Sequence, residues 1–393
     1  MYSEDDINSA VAAGALTPEA AESFRSHMSQ VRELPRSSEE NVRLINSFND
    51  IFVAIGIVIL LLAVGAIGQA IGGLFGPAEG LWEFNLNNPN ASSEEVEAYA
   101  DARNLRQTLQ IFFAGILVAA ASWPLAEFFT RRRRMALPSI LLLLAFVGGI
   151  FASLFGLGAA FGMVGSQPLG AAVITLAGLV AGGAAYLHWR RFRVPITVAA
   201  GVGVLVIALL IAVLGVAQVD PGSGIALGLI LIAGIGVFAF AMRWDMRDRQ
   251  RITRSSDVAF WLHLLAAPMI AHPIFALLGV TEGDNLGVGA AFGVLAVYVG
   301  FGLVALAIDR RALLVSALAY VLFALTFLFR EFGAVELNFA LTALVIGSAL
   351  LSLSAFWLPI RKSVVNMLPL DLQAKLPATE DLPAAAAEPT LAA

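Results

Sequence analysis

The sequence predicts an all-α protein, a polytopic transmembrane bundle of about ten spans with both termini in the cytoplasm. Three observations carry that expectation. Hydrophobic residues make up 59% of the 393 and charged residues only 13%, against the roughly 25% charged of a soluble domain. The apolar residues fall in blocks of about 20, the length a helix needs to cross a bilayer, separated by short polar or basic links. Finally, the positive charge is one-sided. With the N-terminus inside, Arg131–Arg134, His188–Arg193, the arginines from Arg243 to Arg254, Asp309–Arg311 and Arg361-Lys362 share one face. Of the 24 lysines and arginines, only Arg103, Arg106 and Arg330 then lie opposite, as the positive-inside rule requires.

Taken in order, residues 1–49 read as a cytosolic helical segment. Gly14 ends one helix, and Thr17-Pro18-Glu19 opens the next, with Thr17 as N-cap and Pro18 at the first helical position. Ser38-Glu39-Glu40 signals a third helix. These helices are a solvated cap on the bundle or a surface for a cytosolic protein partner. The apolar blocks start only at Ile51, behind this polar leader, which excludes a cleaved signal peptide.

Residues 50–360 form the membrane region. The expected spans are Ile51–Phe75, Leu109–Phe129, Leu137–Met163, Leu169–His188, Ile196–Val216, Ile225–Met242, Val258–Leu278, Leu286–Ile308, Leu313–Phe329 and Leu337–Leu358. One longer outer loop, 76–108, carries a helix signal at Ser92-Ser93-Glu94-Glu95 and should extend the second helix outward. The outer turns Gln218–Gly224 and Thr281–Asn285 are short enough to make their flanking helices antiparallel partners. The last eight spans group as hairpins beginning near Met135, Val194, Asp257 and Ala312. Spacings of about 58, 63 and 55 residues suit two-helix repeats, although bilayer thickness alone imposes a similar period. Residues 361–393 read as an amphipathic piece interrupted by Pro369, then a Pro- and Ala-rich stretch expected to be disordered.

The chemistry-bearing residues concentrate in Asp257–Gly279, where two histidines and two prolines interrupt an apolar span. Pro268 and Pro273 cannot donate backbone hydrogen bonds, so a broken helix is expected, sheltered inside the bundle because exposed backbone polar groups are not tolerated in lipid. Trp261, His263, Pro268, His272 and Pro273 are the candidate ligand-binding residues. His272 weighs more than His263, since a polar residue deep in a span often marks a pathway. The alternative role for either is bonding a carbonyl that the prolines release. Nine residues separate the histidines, about 13 Å and half a turn of phase along a helix, so they cannot share one metal ion. Glu127, the carboxylate placed furthest into an expected span, precedes Arg131 by one turn and suits an interfacial ion pair. Glycine pairs at 158/162, 178/182, 224/228 and 289/293 fit the close-packing GxxxG spacing.

Other classes are excluded or unsupported. With no cysteine there is no disulfide or thiolate chemistry. No metalloprotease, nucleophile-elbow or phosphate-loop motif occurs, so no catalytic constellation, cofactor or metal site is assigned. The basic links are too short and too close to the spans to be nucleic-acid patches, and no nucleic-acid partner is expected.

The leader phrase AAGALTPEAAESF and the segment FWLHLLAAPMIAHPIF, with the closing WLPIRKSVVNMLP stretch, resemble a family of uncharacterised bacterial inner-membrane proteins, a domain of unknown function. The resemblance implies a bacterial inner-membrane location and a short cytosolic N-terminal helical domain, and brings no activity. From the residues themselves, the expectation is a permease-like bundle that moves or senses a small or amphiphilic molecule near the seventh span. The alternative is a membrane scaffold or sensor that binds a cytosolic partner through residues 1–49.

Overall fold

A computed structural model describes residues 7, 10–24, 48–76, 92–163, 167–249, 251, 253–279, 287–333 and 336–377. The expected helix at Ser38, the turn Thr281–Asn285 and the tail beyond Pro377 lie outside these residues. The chain divides into two units, Met1–Asn41 with Ala378–Ala393, and Val42–Pro377. In the smaller one, Gly14 adopts the left-handed conformation (φ 69°) that ends a helix, and the Thr17 hydroxyl accepts the Ala20 N–H at 3.2 Å. That is the expected stop and N-cap.

The larger unit is helical, with no strand among the described residues. Among the described residues, ten helices are long and apolar enough to span: α1 Phe48–Phe75, α2 Ser93–Ala126 prolonged by a wide π-turn at Glu127–Arg132, α3 Ala136–Ala160, α4 Gln167–Phe192, α5 Ile196–Ala217, α6 Gly224–Asp245, α7 Arg254–Leu277, α8 Val288–Ile308, α9 Ala312–Glu331 and α10 Asn338–Ala355. Two short helices follow, α11 Trp357–Asn366 and α12 Leu370–Gln373. The chain is thus a multi-pass membrane protein. As expected, α2 starts well outside its apolar core: Ser92 accepts the Glu95 N–H at 3.2 Å and Glu95 accepts the Ser92 N–H at 2.9 Å, a capping box that satisfies two otherwise orphaned donors.

Pairing is close across every arginine-bearing link, while across the other connections it varies: α1 packs on α2 and α3 on α4. α2 packs on α3, α4 on α5, α6 on α7 and α8 on α9, whereas α5 and α6 meet only slightly across their short turn. The expectation that the short turn Gln218–Gly224 makes its flanking helices close partners is therefore corrected. Small residues decide instead, because without a hydrophobic drive between helices in lipid, close van der Waals fit sets association. A Cβ added at Gly115 would lie 2.6 Å from the Gly149 carbonyl oxygen, and one at Gly149 would lie 2.6 Å from that of Gly115. Of the expected GxxxG pairs, Gly178 and Gly182 form such a seam against Ala208 and Leu205 of α5, while Gly224, Gly228 and Gly289 face open space.

The links share a geometry. Arg134, Arg193, Arg251 and Asp309 all take the left-handed conformation, with φ of 54°, 55°, 55° and 54°, and recur at intervals of about 58 residues. Each stands two or three residues ahead of the next helix. A repeat drawn on this geometry centres on an arginine-bearing link, with one helix on each side of it.

α7 is the hub. It packs on α5, α6 and α9, and half of its apolar window is buried, more than in any other span. Ala259, Ala266, Ala267 and Ala271 are fully buried and admit neighbouring helices closely, while Val258, Leu262 and Phe275 fill the space between. The anticipated break does not occur: the helix is continuous through Pro268 and Pro273. Each proline costs one hydrogen bond, and the rest of the ladder, held by neighbours on three sides, is retained. At Pro273 the unpaired carbonyl is that of Met269, which lies against α6 at Gly234, where a Cβ would come within 3.0 Å of that oxygen.

Candidate functional site

The candidate residues of α7 diverge instead of converging on one point. Trp261 is half-buried and borders a cleft, His263 is buried, Pro268 and His272 lie on an exposed side, and Pro273 is buried.

His263 belongs to a knot of buried polar groups at the arginine-bearing ends of the helices. Its Nε2 is 2.8 Å from Asp245 Oδ2, at the end of α6. Asp245 Oδ1 accepts Arg310 Nη2 at 2.7 Å, and the same nitrogen donates to the Ser256 carbonyl at 3.0 Å. One link further, Asp309 accepts Arg251 Nη1 at 2.8 Å and the Trp357 indole N–H at 2.7 Å, with Arg361 Nε 3.7 Å away. Arg251 also donates to the carbonyls of Ile308 and Asp309. Burial pushes the Arg251 guanidinium below the ordinary arginine value and the like charge of Arg310 adds to this, while Asp309 and Asp245 oppose them. Arg361 donates to the Pro377 carbonyl and Arg249 to those of Gln373 and Leu376, so the chain beyond α11 is tied to the same knot. A buried charge persists only when paired and hydrogen-bonded. Here each carboxylate binds at least one guanidinium and one ring N–H, which makes the knot a structural clasp.

The two histidines of α7 are held differently. His263 is anchored by a carboxylate, while His272 bonds the Tyr320 hydroxyl at 2.7 Å on an exposed side. Within the arginine-bearing links, Asp245, Asp309 and Arg310 are buried. His188, likewise read as part of a basic link, is fully buried among Trp123, Phe146 and Phe192. The sequence signal for the knot is present in hindsight: aspartates inside otherwise arginine-rich links.

Trp261 faces the other way. With Leu264 and Leu265 it forms one wall of a cleft of about 640 Å³, whose remaining walls come from α3 (Leu144, Val147, Gly148, Phe151), Ile174 of α4, and α5 from Ile196 to Ala208. No lining side chain is charged. The cleft runs from the arginine-bearing end of α5 to about its middle.

Glu127 is ion-paired with two arginines. Arg131 Nη1 is 3.4 Å from Glu127, and Arg191 Nε of α4 is nearer still at 2.6 Å. Among the described residues, no group of three or more metal-ligating side chains is gathered.

Comparison with protein-family models, curated proteins and solved structures finds no match to this chain, so the site stands on its own geometry.

Proposed function

We propose that the protein binds an amphiphilic molecule, with its hydrocarbon chain in the cleft beside Trp261, and senses or moves it within the bacterial inner membrane, both termini lying in the cytoplasm. The observation that carries this reading is the chemistry of the cleft. A space of about 640 Å³ bounded only by uncharged, overwhelmingly apolar groups rewards burial of methylenes at about 0.8 kcal/mol each and offers a charged solute nothing. Its placement on the most buried helix of the bundle supports coupling between occupancy and helix packing. The one-sided arginine distribution supports the orientation, and the leader and His/Pro motifs support the location.

The test is photo-crosslinking with a diazirine-bearing fatty acid in membranes, followed by peptide mapping. Labelling should concentrate on peptides around Gly148, Gly203 and Trp261. Gly148→Phe should abolish it, since Gly148 borders the cleft and an added Cβ there meets nothing within 4 Å. Labelling spread evenly over exposed faces such as Val216 and Phe339, or indifferent to Gly148→Phe, refutes the reading. Deleting residues 1–48 should leave the labelling intact if the bundle alone binds the chain.

A further inference from the structure

A second cavity, of about 680 Å³, is lined by Pro124, Glu127, Phe128, Arg131, Arg132 and Arg191. We propose that it binds the phosphate of an anionic membrane lipid, a site separate from the apolar cleft and independent of the function assigned to it.

The pocket owes its shape to a local rearrangement of α2. Pro124 sits inside the helix and cannot donate to the Ala120 carbonyl. The chain then passes from α-helix into the π-turn Glu127–Arg132, closed by Arg133 N–H to the Phe128 carbonyl at 3.0 Å. Wide turns of this kind are frequent where a helix serves a site. Here the turn presents two consecutive arginines, Arg131 and Arg132, to one cavity, and α4 contributes Arg191.

The charge is unbalanced within the pocket. Three guanidinium groups meet one carboxylate, Glu127, which accepts from Arg191 and Arg131. An arginine carries five N–H donors, so those contacts leave most of each fork unspent, and both arginines keep about half their side-chain surface, 44% and 55%. Glu127 acts as a positioning residue: it ties the arginine of one helix to that of another and so presets the spacing of the forks. Guanidinium forks match the geometry of phosphate oxygens.

Two features select a lipid over a soluble phosphate ester. Phe128 and Pro124 give the cavity an apolar wall, which a glycerol backbone and first methylenes would cover. The pocket also lies where the apolar span of α2 gives way to Arg131–Arg134, the depth at which headgroups of anionic lipid meet basic side chains.

Native mass spectrometry of the full chain, delipidated and then exchanged with phosphatidylglycerol or phosphatidylcholine, tests the assignment. The wild type should retain phosphatidylglycerol about tenfold over phosphatidylcholine, the equivalent of one charge-assisted contact. Arg132→Gln spares both bonds of Glu127, so it should remove most of that preference without lowering the thermal midpoint, and Arg132→Lys should restore part of it. Arg254→Gln, on a different link, should change nothing. Equal loss in Arg254→Gln would mean diffuse surface attraction and overturn the site, as would the absence of any preference in the wild type. Glycerol 1-phosphate, added at millimolar concentration, should displace little phosphatidylglycerol. If it binds while the lipid does not, the lipid assignment falls and the pocket takes a soluble phosphate ester instead.

Discussion

Asp245, the last residue of α6, and His263, in the third turn of α7, stand with Oδ2 and Nε2 only 2.8 Å apart, at 1% and 2% exposure. Their contact fixes α6 against α7 at the end where both meet the α8–α9 link, because the same carboxylate receives Arg310. Breaking it should be costly in an asymmetric way. Asp245→Ala strips the buried Arg310 guanidinium of its carboxylate, leaving Ser256 to accept from it, and leaves the imidazole N–H without its acceptor, a loss of roughly 3–5 kcal/mol. The measurement is denaturation of the purified protein in detergent. Asp245→Leu combined with Arg310→Met should recover most of the loss, since replacing a buried pair with apolar groups of similar volume is often neutral. A double variant as unstable as the single one would mean that the pair does more than satisfy itself.

Trp357 joins α11 to the same α8–α9 link by two contacts, the indole N–H to Asp309 at 2.7 Å and the Arg311 guanidinium 4.6 Å from the ring centre. Trp357→Phe keeps a ring for the cation and loses the donor. Asp309 still holds Arg251, so the expected cost is about 1–2 kcal/mol. Trp357→Ala removes a side chain that is 97% shielded and should cost about 3–5 kcal/mol. Limited proteolysis at the exposed residues Asp371 and Lys375 should quicken in the same order, if Trp357 is what holds the end of the chain on the bundle.

How much of this was legible beforehand follows from the range of each interaction. Span number and the capping box at Ser92 are local, set by hydropathy and by spacing of three residues, and they read directly. The knot is not local. Asp245 and Arg310 are 65 positions apart and each sits among arginines, where a solvated reading costs nothing until helix packing closes the space. The prolines of α7 misled for a related reason. Proline removes one bond with certainty, but whether the helix then breaks depends on the neighbours that hold it, here α5, α6 and α9. Trp261 was legible as a candidate only because it shares a segment with the histidines; its cleft is made by three other helices.

Adjacent glycines in α3 give a test of packing with an internal control. Gly149 faces α2 so closely that a Cβ would lie 2.6 Å from the Gly115 oxygen, while at Gly148 it would meet nothing within 4 Å. Gly149→Ala must push α2 and α3 apart and should destabilise by about 1–3 kcal/mol. Gly148→Ala gains helix propensity with no clash and should be neutral or stabilising by up to about 1 kcal/mol. Melting curves of the two variants side by side decide it, and equal midpoints would refute the α2–α3 seam.

Orientation can be read by labelling, because the chain has no cysteine of its own. Glu97 lies in the exposed outward extension of α2, Pro221 in the exposed turn between α5 and α6, and Ala374 in the exposed stretch after α12. Successive antiparallel spans put the first two on one side and Ala374 on the other, the side that also holds Arg131–Arg134 and Arg251. If arginines are retained in the cytoplasm, single cysteines at positions 97 and 221 react with a membrane-impermeant maleimide in intact cells, while one at 374 reacts only after permeabilisation. The reverse pattern would invert the protein and move the arginine-lined pocket to the outer leaflet. Labelling of all three in intact cells would break the even span count, since positions 97 and 374 would then share a side despite the nine helices from α2 to α10.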